Sequence, residues 1–239
     1  MSRKRSFRPR AVDLLTPIEC ERARQILFAG KVPWTERDSV GGKPFFTVGA
    51  ASYLDALSFA SYYYGKARTT NASLRRYFSW LYSKLLDALR VELEAPVELE
   101  NGMALPGFHV FLGGSAYESK TSSVHADLQY RLVEFRDRQI DESKTLSFTL
   151  LVRAPASGAG LILWNAEFEP EDELISGRRS ARLEKVNATR HEYAVGRLFL
   201  HSGMQYHAIA PIDSPQDSDE RITLQGHAVF ADGRWFVYW

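Results

Sequence analysis

Cysteine is almost missing: the 239-residue chain has one, Cys20. No intrachain disulfide can form and no cysteine-rich zinc site exists, which suits a reducing cytoplasm. No apolar run approaches the roughly 18 residues that a membrane-spanning helix needs. An excess of charge is missing too. The 30 Lys and Arg face 29 Asp and Glu, a balance that argues against a protein built to coat nucleic acid. Apolar material is not short, at 45% of residues with 13% aromatic. Wholesale disorder is therefore excluded, and a chain of this length can bury a core. Arg3, Lys4, Arg5, Arg8 and Arg10 precede no apolar stretch of the kind a secretory signal carries. Residues 1–15 read as a solvated basic tail.

Periodicity divides the rest of the chain. Residues 16–95 read as helical and residues 96–239 mostly as strands, together one structural domain. Thr16-Pro17-Ile18-Glu19 is a helix start, with a capping threonine, proline at the first helical position and glutamate completing a capping box. This helix is expected to run to about Phe28 and stop near Gly30. Residues 31–49 read as a loop and 51–64 as helical. The clearest helix spans 71–91, capped by Asn71 or Ser73, with Leu74, Tyr77, Phe78, Leu81, Leu85 and Leu89 on one apolar stripe. After Pro96, short strands are expected at 108–112, 128–135, 145–153, 160–164, 192–200, 205–210, 220–230 and 234–238, separated by glycine and proline turns. The charged stretch 166–191 reads as a solvated excursion, with His191 exposed. Many short strands after a helical lead predict a jelly roll or barrel with helices packed outside one sheet.

The chemistry-bearing residues are six histidines and a few partners. His125 and Asp127 are two apart, so in extended backbone an imidazole and a carboxylate project from one face. A metal needs that pairing plus a third donor, for which His201 and His207 are the candidates. His207 opens a strand after a turn at Ser202-Gly203. Two histidines and one carboxylate on one side of a metal leave the opposite positions open, which suits non-haem Fe(II) handling dioxygen. Fourteen residues after His207 come Arg221 and Thr223, again on one strand face. A guanidinium grips a carboxylate through two parallel hydrogen bonds, and a neighbouring hydroxyl adds another. Tyr130 reads as a pocket wall or hydrogen-bond donor, and His109 as structural. His227 shares the parity of Arg221.

The ordered set His125-x-Asp127, Gly196 with His207 eleven residues on, and Arg221-x-Thr223 resembles the Fe(II)/2-oxoglutarate-dependent oxygenases, over roughly residues 106–230. Gly158 to Trp164 is similar to that family's glycine-led core strand. The resemblance implies an α+β, mainly β fold: a double-stranded β-helix (a cupin-like jelly roll) flanked by N-terminal helices. It implies iron on His125, Asp127 and His207, and 2-oxoglutarate as co-substrate with O2. Its far carboxylate would rest on Arg221, with Thr223 as helper; Tyr130, from the reading of the residues alone, is a further candidate to bond the co-substrate. The halogenating branch lacks the carboxylate that Asp127 supplies here, so hydroxylation or desaturation is expected. The alkylation-repair branch has a further arginine where this chain has His227, which speaks against a nucleic-acid substrate.

The expected function is hydroxylation of an unactivated C–H bond in a small molecule, such as a free amino acid or related metabolite, by a cytoplasmic enzyme of open oligomeric state with no membrane partner. The alternatives are a peptidyl or protein side-chain hydroxylase and a non-catalytic, metal-binding, cupin-like sensor.

Overall fold

A computed structural model of the chain describes residues 7–37, 45–57, 59–113, 123–136, 138–174, 178–211 and 216–239. The basic residues Arg3 to Arg5 and the turn signals at Gly41, Gly42, Pro44, Gly114 and Gly177 lie outside them. The first helix, α1 (Pro17–Phe28), begins as its sequence dictates. Thr16 Oγ1 accepts from the Glu19 amide at 3.3 Å, and the Thr16 amide donates to Glu19 Oε2 at 2.9 Å. Such a cap contributes about 1 kcal/mol. Beyond the helix end, Gly30 takes a φ of +67°, a left-handed geometry that glycine adopts without a Cβ clash.

The long helix differs from its expected bounds. The residues at 51–64 split into α2 (Ser52–Asp55) and the start of α3 (Ala60–Leu93), which runs unbroken through Asn71 and Ser73. The spacing explains this: Tyr63, Ala67, Thr70 and Leu74 continue the buried stripe one further segment back, and nothing there breaks a helix. Asn71 is therefore no cap. Its amide nitrogen donates to Met103 O at 2.8 Å and its oxygen accepts from Leu105 N at 3.0 Å, tying α3 to the chain that enters the sheet.

The strands are β1 (Arg10–Asp13), β2 (Thr35–Arg37), β3 (Phe45–Val48), β4 (Val97–Leu99), β5 (Gly107–Leu112), β6 (Asp141–Arg153), β7 (Gly160–Glu167), β8 (Ala188–Glu192), β9 (Arg197–Ser202), β10 (Gln205–Ile209), β11 (Glu220–Ala231) and β12 (Arg234–Tyr238). Nine form one sheet in the order β1-β9-β6-β11-β5-β3-β2, with β12 and β4 joined beyond β11; three form a second, β10-β7-β8. Every pairing is antiparallel except β4 with β12.

Several of these departures have local causes. The basic tail becomes a strand at Arg10, where Arg10 Nε reaches Glu92 on α3 at 2.5 Å and β1 pairs with β9. The expected loop 31–49 contains β2 and β3, an edge hairpin whose Phe46 packs on Trp34. The stretch 128–135 is not a strand but the 3-10 turn Gln129–Leu132. The run 192–200 is broken at Gly196, whose φ of +83° ends the extended path between β8 and β9. The 166–191 excursion carries β8, so His191 is half-buried and packs on Phe199 at 5.3 Å between ring centroids.

Parity then assigns the two faces of the large sheet. On β11, Ile222 and Leu224 face the helices with Phe108, Val110, Leu150, Phe78, Leu81 and Leu85, all fully buried. Arg221, Thr223, Gln225 and His227 take the opposite face, beside His109 on β5 and Ser147 and Thr149 on β6. No helix of the described residues is long and apolar enough to cross a membrane.

Gly107 heads β5 under the Trp239 ring, where an added Cβ would lie 2.0 Å from Trp239 Cζ3 and 2.5 Å from Val48 O. Gly65, within α3, meets no atom within 4 Å. Gly107→Ala is expected to lower the unfolding free energy by at least about 1–3 kcal/mol, the scale of overpacking. Gly65→Ala should raise it by about 0.5–1 kcal/mol through the unfolded chain. Urea denaturation followed by tryptophan fluorescence checks both.

Candidate metal centre and its cavity

The HxD segment reaches β10 by main-chain pairing. His125 N donates to His207 O at 3.0 Å, His207 N donates to His125 O at 2.8 Å, and Asp127 N donates to Gly203 O at 2.7 Å. Two residues more than eighty positions apart are thus fixed opposite each other, and Asp127 falls on the same side as His125. β10 is itself held by β7, where His207 faces Leu163.

The side chains are set in turn by hydrogen bonds that leave their ligating atoms pointing inward. His125 Nδ1 lies 2.7 Å from Ser123 O and His207 Nδ1 lies 2.8 Å from Gln205 O. A carbonyl has no proton to give, so each Nδ1 carries the hydrogen, and in the neutral ring Nε2 holds the lone pair that can ligate a metal. His207 Nε2 lies 3.4 Å from Asp127 Oδ2 and His125 Nε2 lies 3.7 Å from Asp127 Oδ1. Asp127 accepts from Gln129 Nε2 at 2.8 Å on one oxygen and from Ser147 Oγ at 2.5 Å on the other. Because Ser147 spends its only proton on Asp127, its oxygen accepts from His227 Nδ1 at 3.1 Å.

Ligand atoms of His125, Asp127 and His207 all lie within 4.8 Å of one another, and this is the one such group found among the described residues. Two neutral imidazoles and a carboxylate fit a divalent transition metal with open positions. Asp127 is buried, which by itself raises its pKa; His207, His227, His125 and His201 lower it by more, and it stays a carboxylate. Burial lowers the pKa of His207, and the neutral ring it favours is the form that ligates. His201, the other candidate donor, is buried at 4.6 Å from the His207 ring, with Nδ1 on Ser202 O. It is not part of the triad.

A cavity of about 620 Å³ opens on this group, lined from both sheets. Arg221 reaches it from β11 and is 3% exposed. Thr223 shares that strand face but is wholly buried and off the cavity wall; its hydroxyl accepts from Gln225 Nε2 at 3.4 Å, and Gln225 lines the cavity instead. Tyr130 is turned away, because residues 129–132 coil rather than extend. Its hydroxyl donates to Glu142 at 2.9 Å and its ring packs in a separate apolar cluster. Gln129, the residue before it, takes the wall position.

Sequence reasoning missed Gln129, Ser147, Thr149, Tyr53 and Tyr193. Ser147 and Thr149 had a signal, since they alternate with Leu146, Phe148 and Leu150 along β6. Tyr53 and Tyr193 had none, because nothing local says that α2 or the segment after β8 borders the site. Tyr193 is half-buried, its phenol pushed up to about 12 by loss of water around it, and it bonds Thr149 on the wall. His109, read as structural, also lines the cavity and pairs through Nε2 with the Tyr53 hydroxyl.

No protein-family model and no curated protein matches the chain. Among solved structures it is similar to an N-substituted L-amino acid dioxygenase from Burkholderia ambifaria AMMD. That likeness has a TM-score of 0.59 and 19% identity over 96% of this chain and 85% of that one. The same dioxygenase in complex with alpha-ketoglutarate gives a TM-score of 0.57 at 19% identity, with the same shares covered. The non-haem alpha-ketoglutarate-dependent epimerase SnoN from nogalamycin biosynthesis gives 0.50 at 13% identity, over 92% of this chain and 80% of that one.

Burial lowers the pKa of His109 from 6.5 to about 3, helped by the charges of Arg221 and Arg37. The unfolded chain therefore takes up this proton first, so the contribution is complete above about pH 6.5 and is lost as pH falls towards 3. Below pH 6 the metal-free protein should lose stability with acidification. His109→Gln should make that dependence shallower by up to about 1.4 kcal/mol per pH unit, one proton's worth. Urea titrations between pH 4 and 7 measure it.

Mainly antiparallel, helix-backed, and closed around two imidazoles and a carboxylate, the chain has the fold of the iron- and 2-oxoglutarate-dependent oxygenases.

Proposed function

We propose that this protein is an Fe(II)/2-oxoglutarate-dependent oxygenase that hydroxylates an unactivated C–H bond of a small molecule, its two sheets forming a double-stranded β-helix. The observation that carries the reading is the tautomer lock. Both Nδ1 protons are tied to carbonyls, so two Nε2 lone pairs and Asp127 face one point from segments joined by their own backbones. When bound, ferrous iron with 2-oxoglutarate and dioxygen supplies the oxidising power, giving succinate, carbon dioxide and a hydroxylated product.

The chain's own residues do the rest. His125, Asp127 and His207 would hold the metal, and the Ser147 and Gln129 bonds orient the carboxylate. Arg221 would grip the distal carboxylate of 2-oxoglutarate. Its planar fork, on the cavity wall, matches a carboxylate through two parallel hydrogen bonds. Tyr193 and Thr149 supply hydroxyls on the same wall, where Thr223 is covered. Tyr130, turned outward to Glu142, takes no part. Leu161, Ile209 and Leu128 give the cavity its apolar lining.

A free amino acid or related metabolite is the proposed substrate, and a reducing cytoplasm the proposed compartment. Support for the substrate comes from the cavity of about 620 Å³, sized for a small ligand, and from the structural likeness to a protein that acts on N-substituted L-amino acids.

Under anaerobic conditions, Fe(II) plus 2-oxoglutarate should give a visible charge-transfer band. Asp127→Ala should abolish both the band and substrate-dependent succinate formation. Iron binding without a band would point instead to a non-catalytic metal protein. Arg221→Ala should raise the 2-oxoglutarate concentration needed for half-maximal activity at least about tenfold, as truncating one side of a buried charge pair does. Steady-state kinetics in 2-oxoglutarate reads this.

A further inference from the structure

An unmet hydrogen-bond acceptor on the cavity wall narrows the class of substrate, given the function proposed above. Gln129 lines the cavity and is 7% exposed. The two ends of its side-chain amide differ. Nε2 donates to Asp127 Oδ1 at 2.8 Å. Chemistry fixes that orientation, because a ligating carboxylate has lone pairs and no proton to give, so the NH2 group must face it. Oε1 is therefore the other limb of the fork. It is buried and has no hydrogen-bond partner among the described residues. Three hydroxyls of the same wall are engaged elsewhere. Ser147 lies between Asp127 and His227, Thr149 bonds Tyr193, and Tyr53 pairs with His109.

The side chain is held at both ends. The 3-10 turn Gln129–Leu132, with the Arg131 amide donating to Leu128 O at 3.0 Å, fixes its backbone. Asp127 fixes its amide. An acceptor organised in advance loses little freedom when a ligand meets it. A buried carbonyl oxygen left without a donor is costly, so a ligand that brings one is favoured and a look-alike that lacks one is rejected. The amide that carries this oxygen touches a metal-ligating carboxylate, so the donor it selects comes close to the reacting carbon.

We propose that Gln129 Oε1 accepts a hydrogen bond from an N–H of the substrate, which makes the substrate class an amino-acid derivative that retains an N–H beside the carbon to be oxidised, rather than a nitrogen-free acid or a fully N-substituted compound. The amino-acid class rests on the function proposed above, and the demand for a donor rests on Gln129.

The test uses the full chain, loaded anaerobically with Fe(II) and 2-oxoglutarate and titrated by calorimetry with matched pairs. N-acetyl L-amino acids of varied side chain are set against O-acetyl L-2-hydroxy acids, which keep shape and charge and lose the donor. N,N-dimethyl L-amino acids are set against their trimethylammonium counterparts, which keep the cation and lose the donor. The native protein should bind the N–H member of at least one pair tenfold or more tighter. Gln129→Met should bring that ratio close to one, whatever it does to metal affinity through Asp127. Ser147→Ala removes the other bond to the same carboxylate and should keep the ratio, which separates contact with the substrate from support of the metal. A second reading needs no variant to load. In native protein carrying 13C at glutamine Cδ and Zn(II) in place of iron, the Gln129 signal should shift with the N–H member and not with its partner. Four results overturn the assignment: no N–H preference in any native pair, a preference that survives in Gln129→Met, a preference lost equally in Ser147→Ala, or a Gln129 signal that answers both members alike. Failure of 2-oxoglutarate to bind the native protein is read before any pair is added. It overturns the oxygenase reading, and this assignment with it.

Discussion

A pair of main-chain hydrogen bonds between His125 and His207 carries the architecture of this site. Each residue gives its amide to the other's carbonyl, as in one rung of an antiparallel ladder. Side chains of such a pair project to the same side, so two imidazoles meet without any side chain having to bring them together. Asp127 follows by strand alternation and is pinned through its own amide to Gly203. Everything beyond the rung adjusts direction: Ser123 and Gln205 rotate the rings, Gln129 and Ser147 the carboxylate. Backbone pairing sets position, and side-chain bonds set aim.

The cavity face extends that logic across the large sheet. Alternation sends polar residues of β5, β6 and β11 towards the site and apolar ones towards α1 and α3. The same strands therefore build the core and the chemistry. Burial of Ile222, Leu224 and Leu150 against the helices contributes the stability that offsets burying Arg221, His109 and His227 on the other side. Roughly 25 cal/mol per Å² of apolar surface is the scale of that gain.

Local pattern made much of this legible in the sequence. Thr16-Pro17 with Glu19 marks a helix start wherever it lies, because the cap is made within one turn. His125 and Asp127 share a face because extended backbone has a period of two, and Arg221 and His227 do likewise. What stayed hidden was set by contacts between distant segments. The strand at Arg10–Asp13 exists because β9 offers an edge. Gln129 lines the cavity and Tyr130 does not because the chain coils there, and no period in the sequence announces a single 3-10 turn. Thr223 has the right parity, yet Gln225 and the neighbouring strand cover it, a matter of depth that parity does not encode. The choice between His201 and His207 was likewise open on spacing and was resolved by which of them the HxD backbone pairs with.

The irregularities in the β6–β11 pairing fall on one partner. Between Ile222 and Thr223 the register skips Val152 of β6, and between Val229 and Phe230 it skips three further β6 residues. β6 takes up the slack of curvature, and β11 runs from end to end without interruption. Length changes are accordingly cheap in one strand and ruinous in the other. A residue inserted into β6 can be swallowed by an existing bulge, whereas one inserted into β11 after Arg221 would swing His227 out of the site and into the oily layer beneath the helices.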